Sequence, residues 1–175
     1  MLIVLSGLPG VGKTTIAREL ARRIGAVYLR VDSIEQAIRD SAIMSGPIND
    51  AGYRAEYAVA EDNLRLGRIV IADSVNPIQL TRDAWLNAAT RANVRALEVE
   101  IRSSDLAEHR RHVEERTGDI AGHRLPTWND VTAREYAPWD REHLVLDTSI
   151  VALDDCVAAI QHALHQASSR SGTAG

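Results

Sequence analysis

One stretch constrains this chain more than any other. Gly7-Leu8-Pro9-Gly10-Val11-Gly12-Lys13-Thr14 lies between the apolar run Leu2–Ser6 and the amphipathic run Lys13–Ile24. It satisfies GxxxxGK[ST] at each fixed position, in the strand–loop–helix setting that gives the pattern its meaning. Glycines at 7, 10 and 12 admit backbone torsions and close approaches that a Cβ would block. Their N–H groups can then converge on a phosphate at a helix N-terminus, where the helix dipole adds partial positive charge. Lys13 is placed to reach the β- and γ-phosphates of a nucleotide, and the Thr14 hydroxyl to ligate Mg²⁺. Pro9, Val11 and Thr15 complete the loop, and ATP with Mg²⁺ is the expected cofactor pair.

The rest of the chain has a matching rhythm. Strand-length apolar runs at 2–6, 27–31, 68–73, 94–101 and 143–147 alternate with helical patterns at 13–24, 33–44, 51–66, 79–92, 104–116, 128–136 and 153–167. Such alternation predicts an α/β fold, a three-layer α/β/α sandwich around a five-stranded parallel sheet, of the P-loop NTPase type that nucleoside and nucleotide kinases have. The strand at 2–6 is aliphatic almost throughout, as expected where helices cover both faces. Ser33 and Gln36 have capping-box spacing at the second helix. One domain over 1–168 is predicted, with an arginine-containing lid near 109–126 and a fraying polar tail at 169–175.

Composition matters because of one residue. The chain has 20 basic residues, and Lys13 is the one lysine among them. Guanine-reading GTPases use an Asn-Lys-x-Asp motif, which this chain cannot supply. AAA+ machines and transporters usually place Glu after the strand-end Asp, whereas Ser74 follows Asp73 here. A small P-loop kinase remains. The net charge of −4 disfavours a duplex-DNA or anionic-membrane binder. Cys156 has no intramolecular partner for a disulfide, and no apolar run approaches the roughly 18 residues of a membrane span. The N-terminal apolar run is too short for a signal peptide and has no basic flank, so a cytoplasmic location is the expectation.

Three further elements complete a kinase reading. Asp73 closes the third strand, where a carboxylate can hold the Mg²⁺ hydration shell; an ordinary strand-end turn is the alternative. Asp32 ends the second strand, where a carboxylate can accept the proton of an acceptor hydroxyl; sharing helix-capping duty with Ser33 is the alternative. The run His109–Arg116 followed by 117–124 carries Arg116, Arg124 and Arg110, in that order of preference, as lid arginines against the charge of phosphoryl transfer. The interleaved Glu114 and Glu115 allow a solvated salt-bridged face instead, and the three local histidines read as surface polarity. Asn76 suits either a helix cap or a substrate contact. The acceptor is expected beside the second and third helices, near Arg39, Tyr53, Arg54 and Tyr57, the tyrosines packing on the sheet or stacking on a ring. Trp128 and Trp139 are expected to anchor the last helical segment.

With these pieces in place, the chain resembles the zeta-toxin-like or AAA_33-type P-loop kinases, relatives of polynucleotide 5′-kinase, chloramphenicol phosphotransferase, gluconate kinase and adenylylsulfate kinase. The resembling segments are GLPGVGKTT at 7–15, RVDSIEQAI at 30–38, IADSVNP at 71–77 and the arginine-rich run ending at Arg116. The resemblance implies Asp32 as the base for the acceptor hydroxyl and Arg116 as the lid residue. The segment at 125–149 also resembles family members in which a strand leads to a DTS-type turn near the adenine. The expectation is an ATP- and Mg²⁺-dependent kinase for a small hydroxyl-bearing molecule. A polynucleotide 5′-hydroxyl kinase, a nucleoside monophosphate kinase and a non-catalytic ATP-binding switch are the alternatives.

Overall fold

The computed structural model describes residues 1–41 and 46–169, with backbone alone for 168 and 169. Five strands, β1 (Leu2–Ser6), β2 (Val27–Arg30), β3 (Val70–Asp73), β4 (Ala96–Arg102) and β5 (Leu144–Asp147), form one all-parallel sheet in the order β2-β3-β1-β4-β5. The helices are α1 (Lys13–Ile24), α2 (Val31–Asp40), α3 (Ala51–Arg65), α4 (Gln79–Arg91), α5 (Leu106–Glu115), α6 (Trp128–Thr132) and α7 (Leu153–Ser169). The predicted three-layer architecture is the one observed.

Alternation along β1 explains the layers. Ile3 and Leu5 pack with Ile16 and Leu20 of α1 and with Val157 and Ile160 of α7. Leu2 and Val4 face the other way, onto Ala60 and Leu64 of α3 and Trp85 and Ala89 of α4. Burying one such aliphatic side chain is worth about 1.5–3 kcal/mol, and Leu2, Ile3, Val4 and Leu5 are all fully buried. Cys156 lies in the first cluster, a packing residue. No helix among the described residues is long and apolar enough to cross a membrane.

Several element boundaries differ from expectation. α2 starts at Val31, directly off β2, with Arg30 as its N-cap residue and no side-chain cap. The Ser33 capping box therefore does not form, and Gln36 donates instead to Asp40, 2.8 Å. The predicted continuation of this helix to 44 falls on 42–45, outside the described residues. α5 starts at Leu106 because Asp105 caps it, accepting from the Ala107 and Glu108 N–H groups. α6 opens with a Thr127–Asp130 capping box and stops at Thr132, short of the predicted 136. The chain beyond it is held elsewhere: the buried Arg82 donates to the carbonyls of Ala137 and Pro138 and lies over the Trp139 ring, 4.2 Å from its centroid. α7 includes Ser169; the remainder of the expected tail, 170–175, lies outside the described residues.

The topology sets the site. From β1 the chain builds β2 and β3 on one side, then crosses to β4 and β5 on the other. Between β1 and β3 their outward helical connections diverge and leave a crevice at the carboxyl ends. In register, Asp73 sits opposite Leu5 on one side and Arg30 on the other. The glycine-rich loop leaves β1 at that edge.

Candidate active site

The loop at 7–12 is fixed from several directions. The Gly7 N–H donates to Val75 O at 3.1 Å, and the Thr148 hydroxyl donates to Val11 O at 3.1 Å. His109 Nε2 donates to Pro9 O at 2.8 Å, which assigns its proton to that nitrogen. His109 is buried and meets Trp128 edge-on, so it supports the loop instead of adding surface polarity. Gly7 has φ +144, and a Cβ there would lie 2.1 Å from Ile101 O. Gly10 has φ +87, and its Cβ would lie 2.4 Å from Val113 Cγ2 of α5. At both positions only glycine fits without displacement.

Lys13 is buried, and its ammonium donates to Leu8 O at 2.9 Å. Burial pulls its pKa down to about 8; Asp73 and Asp32 oppose the shift, while Arg116 and Arg134 add to it. Phosphates in the loop would favour the charged form. The Thr14 hydroxyl donates to Asp73 Oδ2 at 2.7 Å, and the Tyr28 hydroxyl donates to the same oxygen at 2.9 Å. Burial, then the Asp73 carboxylate, raises the Tyr28 pKa, so this phenol stays a donor. Thr14 and Asp73 form an adjacent pair of oxygen donors that could hold a metal, and among the described residues no cluster of three acids, histidines or cysteines suits one. That donor set fits Mg²⁺, which typically keeps waters and takes phosphate oxygens beside one or two protein ligands.

Lys13, Thr14 and Asp73 line a cleft of about 1000 Å³ together with Asp32 and Arg116. Asp32 is on the first turn of α2, two residues past the end of β2, the strand that was expected to carry it, with 40% of its side chain exposed. Arg30 lies 3.6 Å from it, and Asp32 caps no helix. Arg116 is the residue after α5, at the predicted helix end. Its Nε and one terminal nitrogen are buried without a hydrogen-bond partner among the described residues. Burial lowers its pKa, Asp32 opposing and Arg30 adding. A guanidinium held in this way is an open anion receptor. Arg124 also lines the cleft. Arg110 does not: it pairs with Glu114 at 2.8 Å on the exposed face of α5, the salt-bridged surface weighed as its alternative.

Other expectations separate here. Tyr53 and Arg39 line the cleft. Tyr57 instead packs edge-on against Trp85, ring centroids 4.5 Å apart, and Arg54 pairs with Asp50 at the surface. Trp139 stacks on His143 and donates to Glu100. Asn76 neither caps a helix nor faces a substrate. At φ +48 it is fully buried, donates to Ser6 Oγ, and accepts from Ser74 Oγ and Trp85 Nε1. It fixes the turn that follows Asp73.

Sequence reasoning missed four residues. Asp119 bonds both Arg18 of α1 and Arg30 of β2, tying the 116–126 segment across the cleft mouth. Burial alone would raise its pKa, but these guanidinium bonds hold it down to about 2. Arg134, just beyond α6, lines the cleft. Arg18 lines it too. Glu56 of α3 is fully buried with neither oxygen paired among the described residues, and burial, then the charges of Asp73, Asp32 and Glu35, raises its pKa well above the ordinary carboxylate range.

A family model described as AAA domain (AAA_33) matches residues 2–135. An uncharacterized protein of Mycobacterium tuberculosis (strain ATCC 25618 / H37Rv) is 28% identical over 108 residues, 59% of this chain and 21% of that protein. The chain spans about a fifth of the length of the curated relatives it first matches. Among solved structures, Kti12 of Chaetomium thermophilum in complex with ADP-AlF3 has a TM-score of 0.68 at 23% identity, covering 93% of this chain and 98% of that one. The Mycobacterium tuberculosis APS kinase CysC in complex with AMPPNP and APS has a TM-score of 0.68 at 18% identity, covering 94% and 96%. These likenesses are of fold.

Proposed function

The chain belongs to the AAA_33 family of AAA domains, and from that premise we propose that it is an ATP- and Mg²⁺-dependent kinase that moves the γ-phosphoryl group of ATP onto a hydroxyl of a small-molecule acceptor. One observation carries the reading. Lys13, Asp32 and the unpaired Arg116 guanidinium face one cleft, beside the Thr14–Asp73 pair. A nucleotide switch needs the phosphate loop and the metal pair; it has no use for a part-exposed carboxylate in the same cleft as an unpaired arginine.

Each residue then has a task. The loop N–H groups and Lys13 hold the β- and γ-phosphates, the ammonium exchanging Leu8 O for phosphate oxygen. Thr14 and Asp73 would hold Mg²⁺, which when bound would supply positive charge to draw electron density from the phosphates. Asp32 accepts the acceptor's hydroxyl proton as that oxygen bonds to the γ-phosphorus. The bond from phosphorus to the β,γ-bridging oxygen breaks, and ADP leaves with its electron pair. Arg116 stabilises the charge spread over the transferring oxygens, and desolvation strengthens its hold.

The test is ADP release measured against a panel of hydroxyl metabolites, antibiotics, nucleoside monophosphates and oligonucleotides. Wild type should release ADP with a hydroxyl acceptor, Lys13→Ala should not, and Asp32→Asn should bind ATP as wild type does yet lose turnover by about 10²–10⁴-fold, the usual worth of a general base. Full turnover in Asp32→Asn overturns the base assignment. ADP release that no acceptor stimulates points to the switch, and release with nucleoside monophosphates alone to a nucleotide kinase.

A further inference from the structure

The cleft does not end at the 116–126 segment. It continues onto an open shelf of about 480 Å³ walled by Arg124, Leu125, Pro126, Asp130, Ala133 and Arg134, the first three and the last shared with the cleft itself. Other cleft arginines are already answered: Arg18 and Arg30 by Asp119, and Arg39 by Glu35 at 2.9 Å. Arg124 and Arg134 are different. Among the described residues neither has a carboxylate within 4.0 Å, although the shelf's own Asp130 is close enough to feel both. That carboxylate is committed to the α6 capping box, its Oδ2 accepting from the Thr127 N–H and hydroxyl at 2.8 Å each. Two guanidinium groups therefore line the shelf against a single carboxylate, one oxygen of which is held in the capping box, next to an apolar wall of Leu125, Pro126 and Ala133.

Resting on the kinase reading above, we propose that the acceptor carries a phosphate group of its own, which Arg124 and Arg134 hold on the shelf while its hydroxyl lies at Asp32. Guanidinium forks bind oxyanions bidentately, and two of them match a phosphate, with three free oxygens and up to two charges, better than a two-oxygen carboxylate. A neutral hydroxyl compound would leave both arginines to water and would gain nothing from them. The apolar wall gives the body of the acceptor, a sugar or nucleoside ring, a surface to lie against. Arg124 thereby becomes an acceptor-binding residue, and the duty toward the transferring phosphoryl group rests with Arg116 alone.

The test uses matched pairs: glycerol and glycerol 3-phosphate, ribose and ribose 5-phosphate, thymidine and thymidine 3′-phosphate, titrated by calorimetry into protein saturated with ADP and Mg²⁺ so that the phosphate loop is filled. At least one phosphorylated member should bind tenfold or more tightly than its unphosphorylated twin. Arg124→Gln and Arg134→Gln should each cut that preference at least fivefold, and the double variant should abolish it while still binding ADP. Both arginines are exposed, so the variants should fold. If no phosphorylated compound outbinds its twin, or the preference survives the double substitution, the proposal is wrong. ADP release on the same pairs separates the two readings. Turnover with unphosphorylated acceptors that ignores both arginines leaves the kinase standing without this subsite; a phosphate preference with no stimulated ADP release leaves the subsite without the kinase.

Discussion

The contact between Gly10 and Val113 joins the phosphate loop to α5 and can be tested by a mutant cycle. A Cβ on Gly10 would sit 2.4 Å from Val113 Cγ2, and the backbone there has φ +87. Two costs follow. The torsion alone costs a non-glycine residue about 1–2 kcal/mol. The overlap adds about 1–3 kcal/mol, because Val113 is buried and a helical valine is confined at χ1 to one rotamer, so it cannot turn away cheaply. Gly10→Ala should therefore destabilise by about 2–5 kcal/mol. Val113→Ala removes two buried methyl-sized groups and should cost about 2 kcal/mol. In the double variant the overlap vanishes while the torsional cost stays, so it should be more stable than additivity predicts by about 1–3 kcal/mol. Guanidinium unfolding of the four proteins measures this, with equal m-values as the check that the unfolded states match. ADP affinity should follow the same order, falling in Gly10→Ala and partly returning in the double variant. Additivity within about 0.5 kcal/mol would refute the direct contact.

Two other outcomes follow from the site. Thr14→Val and Asp73→Asn should each abolish the Mg²⁺ enhancement of ATP binding while Thr14→Ser retains it, read by nucleotide titration with and without EDTA; an enhancement that persists in both would remove the pair from the metal site. The Asp119 latch has a defined pH window. Its carboxyl group is held at about 2 against an ordinary 3.8, so its contribution is complete above about pH 4 and is lost as pH falls toward 2. Carboxyl NMR should find its midpoint near 2 in wild type, shifted up in Arg30→Gln. At neutral pH, Asp119→Asn should speed proteolysis within 116–126; an unperturbed midpoint would mean that the latch does not form.

The phosphate loop was readable from sequence because its chemistry depends on fixed local spacing, and the same holds for the apolar runs that became β1 and β3. Asp32 was readable as a residue type but not as a helical position. Ser33 and Gln36 offered a capping box, yet α2 starts straight from β2, and a helix already running from Val31 leaves Ser33 no N-cap to occupy. Choosing among the lid arginines required knowing which face of α5 turns inward. His109 and Val113, four apart, meet the phosphate loop, and Arg110 lies about 100° round the helix from His109. No pattern within 109–116 reveals that, because the partner of His109 is Pro9, at a sequence separation of 100 residues. Asp119, Arg134 and Glu56 escaped for the same reason: each acquires its meaning from groups the fold brings from another element. Asn76 looked functional because it follows a strand-end Asp, whereas its left-handed backbone and buried hydrogen bonds assign it to the turn.

Phosphoryl transfer to a hydroxyl is the central step, and phosphorus NMR of ATP turnover observes its product directly. In the presence of an acceptor that stimulates ADP release, the γ-phosphate signal should pass to a phosphoester resonance in step with ADP formation, and Asp32→Asn should leave it on ATP. If the γ-phosphate appears instead as inorganic phosphate, at a rate no acceptor changes, the chain hydrolyses ATP and the kinase account is contradicted.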